Sequence, residues 1–283
     1  MRIAVFGASG QLGAVVVDAC RERHDVAAFG HETVDITNDE AVFAAVADAR
    51  PDALINCAAY NLVDAAEDHP LDAMNINAMA VQALARAAVA HGASLVHYST
   101  DFVFDGTATA PYTEEDQPNP RSVYAASKLV GEWLAADVPR AYVLRVESLF
   151  GRAPDGRPAK GSLETILKAL LAGDEARVFE DRTVTPSYVV DIAEATLQLL
   201  ERRAAPGVYH CVNSGSATWL ELATELARLL GVAPKLVPVR LADVAFRARR
   251  PQYCALSNAK LAAAGAVMPP WQDALARYVA GRK

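Results

Sequence analysis

Cysteines are few in this 283-residue sequence, and long apolar runs are lacking. No Cys-x-x-Cys pair occurs, and the four cysteines are widely separated: Cys20, Cys57, Cys211 and Cys254. This spacing is typical of buried free thiols in a reducing compartment. No apolar run reaches membrane-spanning length, and the chain starts directly with a predicted strand, without room for a signal peptide. We therefore expect a cytoplasmic protein that does not bind a membrane.

Basic residues do not predominate either. The 27 Lys and Arg are outnumbered by 34 Asp and Glu, giving a net charge of −7, which argues against nucleic acid as a partner. No Gly-x-x-x-x-Gly-Lys-[Ser/Thr] stretch occurs, which excludes a P-loop kinase. The six histidines lack metal-ligand spacing, so no metal is predicted and His97 is expected in the core. With 52% hydrophobic residues, the composition is that of an ordinary globular protein.

A glycine motif opens the chain. The apolar strand Arg2 to Phe6 runs into Gly7, Gly10 and Gly13, and an apolar helical run follows at once. Strand, glycine turn and helix in this order are typical of dinucleotide binding, with the pyrophosphate at the helix N-terminus. The second strand, Asp25 to Phe29, ends without the acid or arginine that would select between the two nicotinamide cofactors. The choice between NADPH and NADH therefore stays open.

Strand and helix patterns alternate over the first part of the chain. Predicted strands lie at 53–57, 94–98, 141–145 and 208–212, and predicted helices at 39–49, 71–90, 123–135 and 190–200. This alternation predicts an α/β fold with a doubly wound parallel sheet, in which ligands bind beyond the carboxyl ends of the strands. The third strand runs into Ala58, Ala59 and Tyr60, where small residues would let the cofactor lie against the backbone. Asn77 is expected either to brace the strand that carries Thr100 or to face solvent.

A loop rich in Gly, Pro and charge at 151–161 marks a change of character. We predict an NAD(P)-binding Rossmann domain over 1–149, to which 187–210 returns. Residues 150–186 and 211–283 would form a smaller substrate-binding lid.

A second motif follows the fourth predicted strand, which ends near Thr100. In the helix Val123 to Ala135, the spacing of four between Tyr124 and Lys128 puts a phenol and an ammonium on one face. A ketone that receives a hydride also needs a proton, and Tyr124 is the candidate acid. Lowering the pKa of its phenol from about 10 to about 7 requires roughly 4 kcal/mol, much of which Lys128 and an oxidised nicotinamide could supply. Thr100 would hold the substrate oxygen.

The motifs together closely resemble those of the dTDP-4-dehydrorhamnose reductase family of extended short-chain dehydrogenases. The resemblance rests on GASGQLG at 7–13, VDIT at 34–37, NCAAYNLVDAAED at 56–68, YSTDFVFDG at 98–106, YAASKLVGE at 124–132, GVYH at 207–210 and RPQYCALSNAKL at 250–261. It implies that Thr100, Tyr124 and Lys128 are catalytic, that Lys128 also grips the nicotinamide ribose, and that Asp101 contacts the substrate. It further implies cofactor contacts from Gly10, Gln11, Leu12, Asp35, Ile36, Ala59, Tyr60 and Asn61.

Departures from the family pattern fall on the substrate side. RVESLFG at 145–151 stands where the family reads Arg-Thr-Ser-Trp-Val-Tyr-Gly, so Ser148 replaces a substrate-facing Trp and Glu147 adds an acid. Asp181 and Arg182 stand in a second altered motif, and Cys254 and Ser257 in a third. The substrate is therefore expected to be a nucleotide sugar, with 4-keto sugars other than dTDP-4-dehydrorhamnose as candidates.

Two other functions fit the same resemblance. The chain could bind NADP(H) without turnover, as a regulatory subunit resembling the methionine adenosyltransferase beta subunit. It could instead be an NAD-dependent nucleotide-sugar epimerase that recycles its hydride. The oligomeric state is open, with a homodimer as one candidate.

Overall fold

The computed structural model describes residues 1–157, 159 and 161–282. Of the predicted loop over 151–161, Pro158 and Lys160 lie outside the described residues, as does Lys283 at the end of the predicted lid.

Strands and helices alternate as the sequence pattern indicates. The strands are β1 (Arg2–Phe6), β2 (Asp25–Phe29), β3 (Ala53–Asn56), β4 (Ser94–Thr100), β5 (Ala141–Val146), β6 (Leu149–Phe150), β7 (Glu175–Phe179), β8 (Thr183–Val184), β9 (Ser187–Tyr188), β10 (Gly207–His210), β11 (Ala217–Thr218) and β12 (Lys235–Val239). The helices are α1 (Gln11–Arg21), α2 (Asp39–Ala49), α3 (Ala65–Asp68), α4 (Pro70–Met74), α5 (Ala80–His91), α6 (Val123–Ala135), α7 (Ser162–Ala172), α8 (Val189–Glu201), α9 (Trp219–Leu230), α10 (Ala259–Ala263) and α11 (Trp271–Ala280).

A parallel six-stranded sheet in the order β10-β5-β4-β3-β1-β2 forms the centre of the molecule. Successive side chains of a strand point to opposite faces of the sheet. The side chains of β1 therefore pack into two hydrophobic cores, one on each face. Ile3 and Val5 pack in a core with α1 and α8, whereas Ala4 and Phe6 pack in a second core with α2 and α5. The predicted fold class, a doubly wound parallel sheet, is confirmed.

A third hydrophobic core lies outside this sheet. Helices α7, α9 and α11 bury Leu167, Leu222 and Leu275 together, and β12 pairs with β7 in a separate parallel ribbon. The division of the chain into two domains stays a prediction.

Local signals explain the ends of two helices. The side chain of Asn38 accepts a hydrogen bond from the Ala41 N–H at the start of α2. Thr218 and Glu221 form a capping box at the start of α9, which ends at Gly231 in the left-handed conformation.

The helix predicted over 71–90 is present without interruption, but it contains a π-helical turn that was not predicted. A π-helical turn, Asn75–Met79, separates α4 from α5. Asn77 lies on this turn and is fully buried, and its side-chain oxygen accepts the Tyr60 N–H while its amide donates to the Tyr60 carbonyl. Such turns insert one extra residue and often occur at functional sites. Asn77 therefore braces the loop after β3, not the strand that carries Thr100.

Three of the four cysteines are buried as predicted, but Cys57 is partly exposed. Over the part of the chain that the structure describes, none of the helices has both the length and the apolarity that crossing a bilayer requires.

Candidate active site

A cavity of about 420 Å³ lies at the carboxyl ends of β1, β3 and β4. Its floor is the glycine turn: Gly7 has a φ of +75°, and a Cβ there would lie 2.5 Å from the Ala58 nitrogen. A Cβ at Gly10 would lie 3.2 Å from the Gly7 carbonyl oxygen. Because Gly7 and Gly10 carry no side chain, backbone N–H groups at the start of α1 stay open to an anion such as a pyrophosphate. The turn therefore fits a dinucleotide.

Most of the predicted cofactor residues line this cavity. They are Gly7, Gly10, Gln11, Leu12, Asp35, Ile36, Ala58, Ala59, Asn61 and Lys128, and Tyr124 lines it with them. Gly13 and Tyr60 do not. Gly13 is buried where a Cβ would lie 2.1 Å from the Gly7 carbonyl oxygen, so its role is close helix packing. The backbone of Tyr60 is held by Asn77, as described above.

Other lining residues were not predicted. They are Ser9, His31, Val34, Cys57, Ile76, Tyr98, Ser99, Val146 and Leu149. Most are sequence neighbours of predicted residues or follow strand ends, so position along the predicted sheet could have found them. Ile76 had no such signal, because it comes from the π-helical turn.

Tyr124 and Lys128 lie on helix α6 and line the cavity wall. The Ser122 side chain caps the helix by accepting the Ala125 N–H at 3.2 Å, so the helix starts just before Tyr124. Lys128 is 2% exposed, and its Nζ donates to the Tyr98 carbonyl oxygen at 2.6 Å and lies 3.5 Å from His97 Nε2. His97 is fully buried, as expected.

Thr100 ends β4 next to this pair. Its hydroxyl accepts the Phe102 N–H at 3.2 Å and contacts Asp101 Oδ1 at 3.0 Å. The Tyr124 ring packs edge-on against Phe102, with the ring centroids 5.7 Å apart. The structure thus brings Thr100, Tyr124 and Lys128 to one end of the sheet.

The pKa of the Tyr124 phenol is set mainly by burial in the protein without a cofactor. Burial raises this pKa to about 12, the Thr100 hydroxyl lowers it by hydrogen bonding, and the Asp101 charge raises it further. The expectation that Lys128 and an oxidised nicotinamide together lower this pKa stays a prediction. Burial lowers the pKa of Lys128 to about 8, and nearby Glu132 raises it in part.

A group of polar side chains lies directly behind Thr100. Asp101 and Glu147 are 4% and 2% exposed, and their carboxylate oxygens and the Cys254 sulfur lie within 4.8 Å of one another. Arg182 lies against the same group, with Nη2 3.6 Å from Cys254 Sγ and its guanidinium 5.6 Å from the Phe102 ring centroid. Ser148, next to Glu147, has a φ of +43°, which turns the chain sharply between β5 and β6.

A second cleft, of about 390 Å³, opens beyond Arg182. Arg182 Nε donates to the Pro251 carbonyl oxygen, and the adjacent Arg250 lines the cleft. Nη1 of Arg250 is buried without a hydrogen-bond partner among the residues that the structure describes, while Nη2 donates to Asp64. Guanidinium groups commonly bind phosphates, and the same cleft is also lined by the carboxylates of Asp105 and Asp181.

The sheet, the glycine turn and the Tyr–Lys pair define an NAD(P)-binding Rossmann protein of the extended short-chain dehydrogenase type. The same fold occurs in the UDP-glucose 4-epimerase of Thermus thermophilus, at a TM-score of 0.84 and 23% identity over 99% of this chain and 98% of that one. The chain belongs to the family described as RmlD substrate binding domain, whose model matches residues 1–283. The resemblance read from the motifs is confirmed.

Similar proteins extend over nearly the whole chain. A probable dTDP-4,6-dihydroxy-2-methyloxan-3-one 4-ketoreductase from Streptomyces antibioticus is 37% identical, over 97% of this chain and 93% of its own. A dTDP-4-dehydrorhamnose reductase from Streptomyces griseus is 36% identical, over 93% and 88%. The dTDP-4-dehydrorhamnose reductase of Bacillus anthracis, solved in complex with NADP, matches with a TM-score of 0.93 at 31% identity over 99% of both chains.

Proposed function

We propose that this chain is an NAD(P)H-dependent oxidoreductase that reduces the 4-keto group of a dTDP-linked deoxysugar. The observation that carries the proposal is the placement of Tyr124 and Lys128 on the wall of a cavity whose floor is the glycine turn. Two relatives with different sugar substrates in their names, a dTDP-4-ketoreductase and a dTDP-4-dehydrorhamnose reductase, support the reaction class.

The residues divide the chemistry among them. The reduced nicotinamide supplies a hydride when bound. Tyr124 gives its proton to the ketone oxygen, which Thr100 also holds through its hydroxyl. General acid catalysis of this kind contributes typically 10²- to 10⁴-fold. Lys128, held at the Tyr98 carbonyl, is placed to grip the nicotinamide ribose.

The remaining predicted residues would contact different parts of the cofactor and of the nucleotide-sugar substrate. Gly7, Gly10, Gln11 and Leu12 would bind the pyrophosphate, and Asp35, Ile36 and the run Ala58 to Asn61 the adenosine half. Asp101 and Ser148 would face the sugar, and the cleft at Arg250 would take the nucleotide of the substrate. NADPH and NADH both remain candidates for the cofactor, and a homodimer remains a prediction.

A panel of nucleotide-linked 4-keto sugars, assayed with NADPH and with NADH, tests the proposal. We expect stoichiometric oxidation of the cofactor with dTDP-4-dehydrorhamnose or a related dTDP-4-keto sugar. NAD that copurifies and is not consumed, with interconversion of two sugars, would indicate the epimerase instead. Binding of NADPH with no turnover of any sugar would indicate a regulatory subunit.

A further inference from the structure

Two carboxyl groups, next to each other and to Thr100, are buried with oxygens that lack partners. Asp101 Oδ2 and Glu147 Oε1 are both buried without a hydrogen bond among the described residues. The other oxygen of Glu147 accepts the Thr185 N–H at 2.8 Å, which fixes the carboxyl in place. An unpartnered carboxylate oxygen in the interior is costly when ionised and much less so when it carries a proton.

The charges around the pair do not balance two anions. Arg182 is the cation that faces both carboxyls, while Cys254, Tyr253 and Tyr124 are the other titratable groups against them. Burial and the Asp101 charge raise the pKa of Glu147 well above its ordinary value. Burial raises the pKa of Asp101 to about 6, against the opposing effect of Arg182. One guanidinium neutralises one carboxylate, so the second carboxyl retains its proton near neutral pH.

The same guanidinium argues against a metal at this group. A divalent cation bound by Asp101, Glu147 and Cys254 would lie beside Arg182, whose Nη2 already contacts the Cys254 sulfur at 3.6 Å. Two like charges at such a distance in a buried site repel strongly. A proton satisfies the two carboxyls without this repulsion.

Thr100 is next to both the pair and the phenol. Its hydroxyl donates a hydrogen bond to Asp101 Oδ1 at 3.0 Å, and the same hydroxyl lowers the pKa of the Tyr124 phenol, so it lies near the phenol oxygen. A threonine hydroxyl both donates and accepts, so it can pass a proton from one neighbour to the other.

We propose that Glu147 and Asp101 together store one proton and return it to Tyr124 through Thr100 after each reduction, an inference that rests on the proposed function. The ketone carbon receives the hydride and its oxygen receives the Tyr124 proton. The phenolate takes the Thr100 proton, and Thr100 takes the stored proton from Asp101. The pair, now doubly ionised, regains a proton from solvent as the product leaves. Glu147 acts here as a positioning residue: it holds the stored proton next to Asp101, which passes it to Thr100.

Glu147→Gln separates this role from a structural one. The amide retains an oxygen that accepts the Thr185 N–H but cannot store a proton. With dTDP-4-dehydrorhamnose and NADPH, we expect an unchanged first turnover, since Tyr124 starts protonated, and later turnovers slowed about tenfold at pH 8. The defect should vanish near pH 5, where Asp101 alone holds the proton. Equal losses in all turnovers, or a loss that does not depend on pH, would overturn the proposal.

Glu164→Gln is the matched control. Glu164 is also buried, at 6% exposed, but it bonds to Tyr278 and Arg282 in the third core, away from the cavity. This variant should be less stable than the wild type yet keep the wild-type pH profile in all turnovers.

Infrared difference spectroscopy of the NADP-bound protein at pH 7, without any sugar, detects whether a carboxyl group of the pair is protonated. A carboxylic acid C=O band should be present in the wild type and in Glu164→Gln, and absent in Glu147→Gln. Lack of the band in the wild type refutes the proton store. Lack of NADPH oxidation with every sugar, with the band present, refutes the proposed function and leaves the protonated pair in place.

Discussion

At Tyr124, burial and the proposed reaction act on the pKa in opposite directions. Burial raises this pKa to about 12 in the protein alone, so the phenol holds its proton before the ketone binds. Lys128, with a pKa lowered to about 8, donates to the Tyr98 carbonyl oxygen. In the proposed reaction, the positive charge of the oxidised nicotinamide would therefore stabilise the phenolate, and proton loss would be coupled to hydride transfer.

Tyr124→Phe removes only the phenol oxygen. We expect turnover to fall by about 10²- to 10⁴-fold, because the general acid is lost, with an NADPH dissociation constant within about twofold of the wild type. Steady-state NADPH oxidation and NADPH fluorescence titration measure the two quantities. Tyr142→Phe, which removes a phenol that donates to the Ala204 carbonyl far from the cavity, should leave both unchanged. Normal turnover in Tyr124→Phe would exclude Tyr124 as the acid.

Ser148→Trp tests whether this position shapes the sugar pocket. Restoring the ring that the family typically has should shift relative kcat/KM toward dTDP-4-dehydrorhamnose by roughly tenfold, a size typical of changes in pocket contacts. Ser148→Ala is the control, since it keeps the same backbone at φ +43° and adds no ring. The ratio of kcat/KM for two dTDP-4-keto sugars is the measurement. Identical ratios in both variants would remove Ser148 from the pocket.

Among the elements, the π-helical turn links three parts of the site. Asn77 on this turn holds the Tyr60 backbone in the loop after β3, and its amide also donates to the Ser127 hydroxyl of α6 at 3.0 Å. The cavity wall at 57–61 and the helix that carries Tyr124 and Lys128 are therefore tied through one side chain.

Asn77→Ala should destabilise the fold by about 2–4 kcal/mol, because buried backbone and hydroxyl groups lose their partner. NADPH binding should also weaken by roughly tenfold, about 1.4 kcal/mol, since the loop loses its support. Urea unfolding and NADPH titration measure the two effects. Asn75→Ala is the matched control, on the same turn but with an exposed residue. Because Ala has a higher helix propensity than Asn, Asn75→Ala should not destabilise the fold. A stability loss as large in Asn75→Ala would mean that the effect does not come from the Asn77 contacts.

Local patterns predicted most of the elements and the cofactor cavity. The ends of α9 follow from Thr218 and Gly231, and the cavity floor follows from the glycine spacing after β1. The π-helical turn was missed because its cause, the contact of Asn77 with Tyr60, joins two distant segments. The contact between Glu147 and Asp101 was missed for the same reason, since it arises only when β4 and β5 lie side by side. Tyr124 was found by spacing, but its raised pKa depends on burial that no spacing reports.

Over the whole molecule, buried neutral histidines couple the fold to pH. His210, at the end of β10, is fully buried, with Nδ1 3.2 Å from the Tyr112 carbonyl oxygen and Nε2 3.5 Å from Arg145 Nη1. Burial, with the Arg145 charge, lowers the pKa of His210 to about 3. The unfolded chain binds this proton near pH 6.5 and the folded chain does not, so stability falls as the pH drops from about 6.5 toward 3.

His210→Gln should remove this part of the acid sensitivity. Between pH 7 and pH 4.5, the wild type should lose about 2–3 kcal/mol more unfolding free energy than the variant. Urea unfolding at the two pH values gives the difference, in which the carboxyl groups common to both proteins cancel. His91→Gln, at an exposed histidine in the last turn of α5, should show the wild-type loss. A wild-type loss in His210→Gln would mean that His210 is not the coupled group.

The position of β10 at the border of the main sheet has a consequence for biosynthesis. Gly207 pairs with Tyr142 and His210 with Arg145, so β5 stays a bare edge until the ribosome has passed the whole segment that lies between them. Bare edges invite pairing with other chains, and closure over so long a separation is slow. We therefore expect fragments that end before residue 207 to aggregate more readily than the full chain and to accumulate in inclusion bodies.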